Sequence, residues 1–290
     1  MPEIKRILFP VDFSDSCVGA ARYVTSIASH FNAEIMLLHV VTVGEQNVSA
    51  ELMPGTEARL DAFGESELKP FTTHQVCVTG DPALAIAELA RSWNPDLAIL
   101  PTHGLGYFRR HLFGSVTAKA LHDLQCPVWT SVHAEKAPTV EEIRCQRILC
   151  AVDLSERSES IIAWAAWLAR EYQASLGIVH ATARVDLAAA ENLESTNLEK
   201  QFQRFVSEEA KKKIDMLQAQ SGTESTLFIY SGDPIEAIAR ASRDFDTDLL
   251  VIGRHGDRGL SGSPTEKRGG HHVVNAYAIM RESPCPVISI

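Results

Sequence analysis

An internal repeat restricts the fold of this chain more than any other feature of its sequence. The segment 7–14 matches the segment 148–155, and Leu38-His39-Val40 matches 179–181, both at an offset of 141 residues. Three further anchors follow in the same order: 80–82 with 232–234 and 96–104 with 248–256 at an offset of 152, and 126–128 with 285–287 at 159. Ordered anchors in both halves indicate two copies of one fold.

Each copy alternates short apolar runs with helical patterns. The strand-like runs are apolar throughout, which is typical of parallel sheets covered by helices on both faces. The sequence therefore predicts an α/β protein with two tandem doubly wound parallel five-stranded sheets. The predicted strands are 4–11, 34–41, 74–79, 96–101 and 128–132, then 147–152, 174–181, 225–231, 248–253 and 286–290.

The repeat also sets the domain organisation. We predict one domain over residues 1–136, a short polar linker over 137–146 that contains Pro138, and a second domain over 147–290.

Several polar or glycine-bearing segments follow predicted strands. In doubly wound sheets, ligands bind beyond the carboxyl ends of the strands, at the point where the strand order reverses. Asp12, Val40 and the loop from Pro101 to Ser115 all lie at such ends. Glycines allow close backbone approach and a helix start favours an anion, so this loop is a candidate phosphate site. The simpler alternative is a surface turn with a serine near a helix cap.

Composition restricts the function further. The formal net charge of -10 argues against a nucleic-acid or acidic-membrane partner, because phosphate groups are bound by basic patches. No apolar run is long enough to span a bilayer, so we expect a cytoplasmic protein. His255, His271 and His272 match no regular ligand spacing, so we expect no metal site. Neither a Walker motif nor a nucleophile elbow is present, so we expect no enzyme.

With these residues placed, the chain resembles a tandem universal stress protein over nearly its whole length. That resemblance implies an adenine-nucleotide alpha hydrolase-like fold, with two domains related by a pseudo-two-fold axis. Nucleotide-binding members of the family carry two glycines three residues apart after the fourth strand, then Gly-Ser or Gly-Thr after nine intervening residues. They bind ATP at the carboxyl ends of the strands, and here the resemblance implies ATP with or without Mg²⁺.

The resemblance also implies roles for residues of the first copy. Asp12 corresponds to the residue near ribose and adenine, and Val40 to the residue whose backbone meets adenine. The implied set is completed by Pro10 and Val11 beside the base, Gly104, Gly114 and Ser115 at ribose and phosphates, and Val116 as a helix-start N–H.

Each copy departs from the family pattern at one place. Pro101 replaces the first motif glycine in the first copy, and proline removes a backbone donor. The second copy keeps Val152, Asp153, Gly253 and Gly256, but Glu266-Lys267 stands where Gly-Ser is expected. The first copy keeps the helix start, so we expect nucleotide there and assign the second set as a weaker candidate site.

Three functions compete at this point. The first is a nucleotide-responsive stress protein, and the second is a nucleotide-independent scaffold whose sites have degenerated. An adenylating enzyme is third, because 10–14 lacks the glycine-rich loop that such an enzyme needs. The resemblance further implies pairing of the last strands, 128–132 with 287–290, and a homodimer of tandem chains. His39 and His180 are expected to be packed, hydrogen-bonded residues, and Asp81 and Asp233 to cap helices.

Overall fold

The computed structural model of the protein describes residues 2–42, 52–69, 71–101, 115–132, 134–184, 193–254 and 276–290. Two compact units divide the chain, Met1–Arg144 and Cys145–Ile290. Each unit contains a parallel five-stranded sheet with helices, so the predicted α/β fold class is confirmed.

The first unit has the strand order β3-β2-β1-β4-β5, with parallel pairing between neighbours. Its strands are β1 (Arg6–Pro10), β2 (Glu34–Val41), β3 (Thr73–Thr79), β4 (Leu97–Ile99) and β5 (Val128–Thr130). Its helices are α1 (Asp15–Phe31), α2 (Leu52–Glu67), α3 (Pro82–Trp93) and α4 (Ser115–Asp123).

The second unit repeats this arrangement, with the order β10-β9-β6-β7-β8 and parallel neighbours. Its strands are β6 (Arg147–Ala151), β7 (Ser175–Thr182), β8 (Thr226–Ser231), β9 (Leu249–Ile252) and β10 (Val287–Ser289). Its helices are α5 (Ser158–Tyr172), α6 (Leu193–Ser221), α7 (Pro234–Asp244) and α8 (Ala276–Glu282). Within the described part of the chain, no helix is both long and apolar enough to cross a membrane.

The same contact fixes the amino-terminal edge of both sheets. Asp96 Oδ2 accepts hydrogen bonds from the backbone N–H groups of Lys5 and Arg6, each 2.9 Å long. Asp248 Oδ2 accepts from Gln146 and Arg147 in the same way, at 2.7 and 2.9 Å. One carboxylate thus joins the starts of two adjacent strands. The repeated anchor at 96 and 248 has a structural role.

Helix ends follow the expected cap chemistry. The Ser14 side chain caps α1, and Asp81 and Asp233 cap α3 and α7, which confirms both aspartates as helix caps. Asn32 and Gln173 end α1 and α5 in the left-handed conformation.

Apolar strands are buried throughout each sheet except at one edge, formed by β3 in the first unit and by β8 in the second. The central residues of β1 are fully buried, whereas most residues of the edge strand β3 are partly or fully exposed. The expectation of strands that are apolar and covered on both faces therefore does not hold for β3 and β8.

The end of the predicted first domain and part of the predicted linker are packed against α1. Two 3₁₀ turns, Ala134–Lys136 and Val140–Glu142, contact α1, and the Arg22 guanidinium donates to the Ala137 carbonyl at 2.5 Å. A Cβ atom on Gly19 would lie 1.7 Å from the Ala134 carbonyl oxygen. Gly19 therefore allows this backbone to lie directly on the helix.

Replacing Gly19 by alanine should destabilise the first unit. Alanine is the better helix former by about 1 kcal/mol, but its methyl group overlaps a backbone carbonyl that has to move. We expect a net loss of about 1–3 kcal/mol in the free energy of unfolding, measured by urea denaturation.

The repeat supplies a matched control. Ser160 occupies the corresponding position of α5 and is exposed. Ser160→Ala should change the free energy of unfolding by less than about 0.5 kcal/mol. Equal effects of the two substitutions would contradict the proposed role of Gly19.

Candidate functional site

The carboxyl edge of the first sheet brings together most of the predicted site residues that the structure describes. Since β1 lies between β2 and β4, the strand order reverses beside it, as expected for a ligand site. Pro10 is the last residue of β1 and Val40 lies near the end of β2. Ser115 and Val116 begin α4, the helix that follows β4.

Asp12 organises the turn between β1 and α1. Its Oδ1 accepts from the Ser14 N–H at 3.0 Å and from the Cys17 thiol at 2.9 Å. Burial, together with the adjacent carboxylate, raises the pKa of Cys17 to about 12, so the thiol stays protonated and donates. Phe13 adopts φ 60°, which is uncommon for a bulky residue. Before it, the Val11 N–H donates to the Leu38 carbonyl at 2.8 Å, which ties the end of β1 to β2.

The second unit builds the same turn with one atom changed. Asp153 Oδ1 accepts from the Ser155 N–H at 2.9 Å and from the Ser158 hydroxyl at 3.2 Å, and Leu154 also has φ 60°. Burial raises the pKa of Asp153, but the hydrogen bonds from Ser155 and Ser158 outweigh it and hold this pKa below its usual value. Ser158 thus replaces Cys17 as the side-chain donor.

A histidine supports each turn from the neighbouring strand. His39 Nδ1 lies 2.6 Å from the Val11 carbonyl, and His180 Nδ1 lies 2.9 Å from the Val152 carbonyl. A carbonyl only accepts, so Nδ1 carries the proton in both rings. These contacts confirm both histidines as packed, hydrogen-bonded residues.

An aromatic and cationic cluster adjoins the first turn. The Phe13 ring lies 4.6 Å from the His39 ring, 4.2 Å below the Arg59 guanidinium carbon and 6.0 Å from the Phe63 ring. In the second unit Lys213 Nζ donates to the Leu154 carbonyl at 2.6 Å. In both units a cation from the second helix therefore contacts the residue after the site aspartate.

A buried hydroxyl joins the end of β4 to the start of α4. Thr117, only 5% exposed, donates from Oγ1 to the Pro101 carbonyl at 3.2 Å. The residue aligned with it in the second half is Ala276, which has no hydroxyl. The first turn of α4 is thus fixed to the strand end by a contact that its counterpart lacks.

Gly253 has a packing role that its repeat partner does not share. A Cβ atom there would lie 2.6 Å from Cδ1 of Ile161. The repeat aligns Gly253 with Pro101 and Ile161 with Ala20. The first unit thus has proline in place of the motif glycine, and in α1 it has the smaller alanine in place of isoleucine.

Some of the predicted residues lie outside the described part of the chain. Among these are Gly104, Gly114 and Gly256, together with the three histidines considered for a metal, His255, His271 and His272. In the second unit Val152 is buried, Asp153 is exposed and Gly253 directly follows β9. No group of three or more metal-ligating side chains lies together among the described residues.

Sequence reasoning missed four residues near these turns: Cys17, Phe13, Arg59 and Thr117. Of these, only Cys17 could have been found from the sequence, because the repeat aligns it with Ser158 and both side chains can donate a hydrogen bond.

Comparison with known proteins identifies the family. The model of the universal stress protein family matches residues 3–131 and again residues 145–290. The chain belongs to the universal stress protein family. It contains two copies of the family domain, which confirms the predicted tandem arrangement.

Individual relatives agree with this assignment. A universal stress protein of Methanocaldococcus jannaschii is 31% identical over 135 residues, which cover 43% of this chain and 79% of that protein. A solved universal stress protein from Archaeoglobus fulgidus has a TM-score of 0.64 at 20% identity, covering 98% of this chain and 97% of that one. A functionally unknown protein from Pseudomonas aeruginosa has a TM-score of 0.63 at 18% identity, with coverage of 99% and 92%. At these identities the two structures show a shared fold.

His180 gives the second unit a pH-dependent stability. Burial lowers the pKa of His180, against the raising effects of the Val152 hydrogen bond and of Asp153. As the pH drops, the unfolded chain therefore takes up a proton on His180 before the folded chain does. The free energy of unfolding should fall as the pH drops through about 6.5, the ordinary pKa of histidine.

Urea denaturation between pH 7.5 and 5.5 measures this effect. His180→Asn should flatten the dependence of the free energy of unfolding on pH, because the remaining titrating groups are common to both proteins. Equal slopes for wild type and variant would show that His180 does not cause the dependence.

Proposed function

We propose that the chain is a stress-response regulator that binds an adenine nucleotide, ATP with or without Mg²⁺, at the carboxyl edge of the first unit. The nucleotide acts as a signal, and its occupancy sets the conformation or the partners of the protein. Asp12 and the backbone at Val40 meet the nucleoside, and the start of α4 meets the phosphates.

One observation carries the proposal. The start of α4 and the Asp12 turn flank the position where the strand order reverses, and the Thr117–Pro101 hydrogen bond holds α4 there. The first N–H groups of a helix have no partner within the helix and favour an anion. If the phosphates bind at the start of α4, the nucleoside lies toward Asp12 and β2.

The same contacts favour the first unit over the second. Ala276 provides no hydroxyl to fix the start of α8, whereas Thr117 fixes the start of α4. We therefore assign one nucleotide to each chain.

We further propose that the site does not catalyse a reaction. A general base needs a pKa suited to its task and a free acceptor aimed at the substrate. In the first unit the His39 Nδ1 proton is directed at the Val11 carbonyl, and Asp12 Oδ1 accepts from its own turn. Hydrolysis, where it occurs, is slow and incidental.

A nucleotide-independent scaffold is the second candidate. It is favoured by the internal hydrogen bonds of the Asp12 turn, which complete that turn with no ligand, and by Pro101, which lacks an N–H donor. This candidate keeps the two-unit fold and assigns its function to protein surfaces.

Isothermal titration of the full chain with ATP separates these candidates. We expect one nucleotide bound for each chain. Asp12→Ala should weaken binding at least tenfold, since a lost hydrogen bond to nucleotide of about 1.4 kcal/mol corresponds to a factor of ten. Gly114→Val, which places a branched side chain in the loop before α4, should abolish binding.

Asp153→Ala is the matched control, because it makes the same change in the equivalent turn of the second unit. It should leave affinity and stoichiometry unchanged. Absence of ATP binding to the wild-type chain would favour the scaffold. Loss of binding in the Asp153 variant alone would place the site in the other unit.

A further inference from the structure

An aromatic ring holds Arg59 at the carboxyl edge of the first sheet. The guanidinium carbon of Arg59 lies 4.2 Å from the centre of the Phe13 ring. The same ring lies 4.6 Å from the His39 ring and meets the Phe63 ring edge to face at 6.0 Å. Packing therefore fixes Phe13, and the attraction between a guanidinium group and an aromatic face fixes Arg59 upon it.

The fold makes little other use of the Arg59 side chain. Arg59 is exposed, and within the part of the chain that the structure describes it forms no salt bridge and no hydrogen bond. A surface side chain loses rotamer freedom when it binds a ligand, and a contact that already restrains it reduces this cost. Arg59 is thus a restrained group of N–H donors beside the Asp12 turn.

The second unit uses the corresponding cation differently. Lys213 corresponds to Arg59, since each lies eight residues before the last residue of its helix. The repeat aligns Leu154 with Phe13, and Lys213 Nζ donates to the Leu154 carbonyl at 2.6 Å. The backbone of the second unit thus engages its own cation. Of the two aspartate turns, the one in the first unit combines an aromatic ring with a cation that the fold leaves open.

We propose that Arg59 binds the base of the nucleotide. This inference rests on the nucleotide site proposed for the first unit and assigns one further contact within it. A purine base fits this group in two ways. Its ring face stacks on a guanidinium plane, and its ring nitrogens accept hydrogen bonds from N–H groups.

Strand order places Arg59 at the base and not at the phosphates. Phe13 packs against His39 of β2, whereas the phosphates are assigned to the start of α4, which follows β4. Because β1 lies between β2 and β4, two strand spacings separate these positions, roughly 10 Å in total. This distance exceeds the Debye length of about 8 Å at 0.15 M salt, so the charge of Arg59 acts only weakly on the phosphates.

A series of ligands with increasing numbers of phosphates tests this placement. Isothermal titration of the full chain at 0.15 M salt would use adenosine, AMP, ADP and ATP. Arg59→Ala should weaken the binding of all four by the same factor, about threefold to tenfold, because each carries the same base. A loss that grows with each added phosphate would contradict the proposal and assign Arg59 to the phosphates.

Two further variants separate the planar group from its charge and from its support. Arg59→Lys keeps the charge but not the guanidinium plane, so it should weaken ATP binding at least about twofold. Phe13→Leu introduces the residue of the second unit and removes the ring that holds Arg59, so it should also weaken binding. Combined with Arg59→Ala, it should weaken ATP binding no more than about twofold beyond the weaker single variant, because both remove one contact.

Lys213→Ala is the matched control, since it removes the corresponding cation of the second unit. It should leave the affinity for all four ligands unchanged. Urea denaturation gives a second readout. Arg59 is exposed, so Arg59→Ala should leave the midpoint of unfolding unchanged while affinity falls. A purely structural role would instead lower that midpoint.

The outcomes distinguish this inference from the proposed function. Wild-type affinity in Arg59→Ala would overturn the role of Arg59 and leave the nucleotide site intact. Absence of binding of any of the four ligands to the wild-type chain would overturn both. Wild-type affinity in Arg59→Lys would show that only the charge matters and would contradict a contact with the base. A loss confined to Lys213→Ala would place the contact in the second unit.

Discussion

The hydrogen bonds that Asp12 accepts within its own turn position the candidate site. One carboxylate oxygen holds the Ser14 N–H and the Cys17 thiol, so the chain leaves β1 and enters α1 in a fixed geometry. His39 adds a second tie from β2 to the Val11 carbonyl. β1 is the central strand of its sheet, between β2 and β4. The turn that follows it therefore fixes the backbone at the middle of the carboxyl edge. The second unit repeats the arrangement through Asp153 and His180.

Comparison of the two units shows which contacts belong to the fold and which to a site. The Asp96 and Asp248 contacts, the aspartate turns and the histidine contacts occur in both units, so they belong to the fold. Thr117 at the start of α4 and the stack of Arg59 on Phe13 occur in the first unit alone among these contacts. Within the described residues, α6 extends over 29 residues and its counterpart α2 over 16. Duplication has therefore left one unit with the better-defined helix start and the other with a long exposed helix.

The sequence predicted the fold to within a few residues at most element ends, because the repeat supplied each element twice. Central strands such as β1 and β6 were recognised by their unbroken apolar runs, and α3 and α7 by aspartate followed by proline. Contacts between distant residues were less accessible. The approach of Ala134 to Gly19 depends on how the chain returns to α1 after β5, which no local pattern encodes.

Prediction of the site succeeded only in part for similar reasons. Asp12 and Val40 could be placed at strand ends because the ends of the apolar runs mark where the strands stop. The donor from Cys17 and the hydroxyl of Thr117 could not, since each contact depends on side-chain direction after folding. Gly104, Gly114 and Gly256 lie outside the described residues, so their roles stay predictions.

Hydrogen exchange of the full chain, followed by mass spectrometry with and without saturating ATP, is the most direct test of nucleotide binding by the first unit. Bound ATP should slow exchange in peptides that cover 10–18, 38–42 and 115–120, with no change in those that cover 151–159. Slower exchange confined to the second unit, or no change anywhere at saturating ATP, would contradict a nucleotide site at the carboxyl edge of the first sheet.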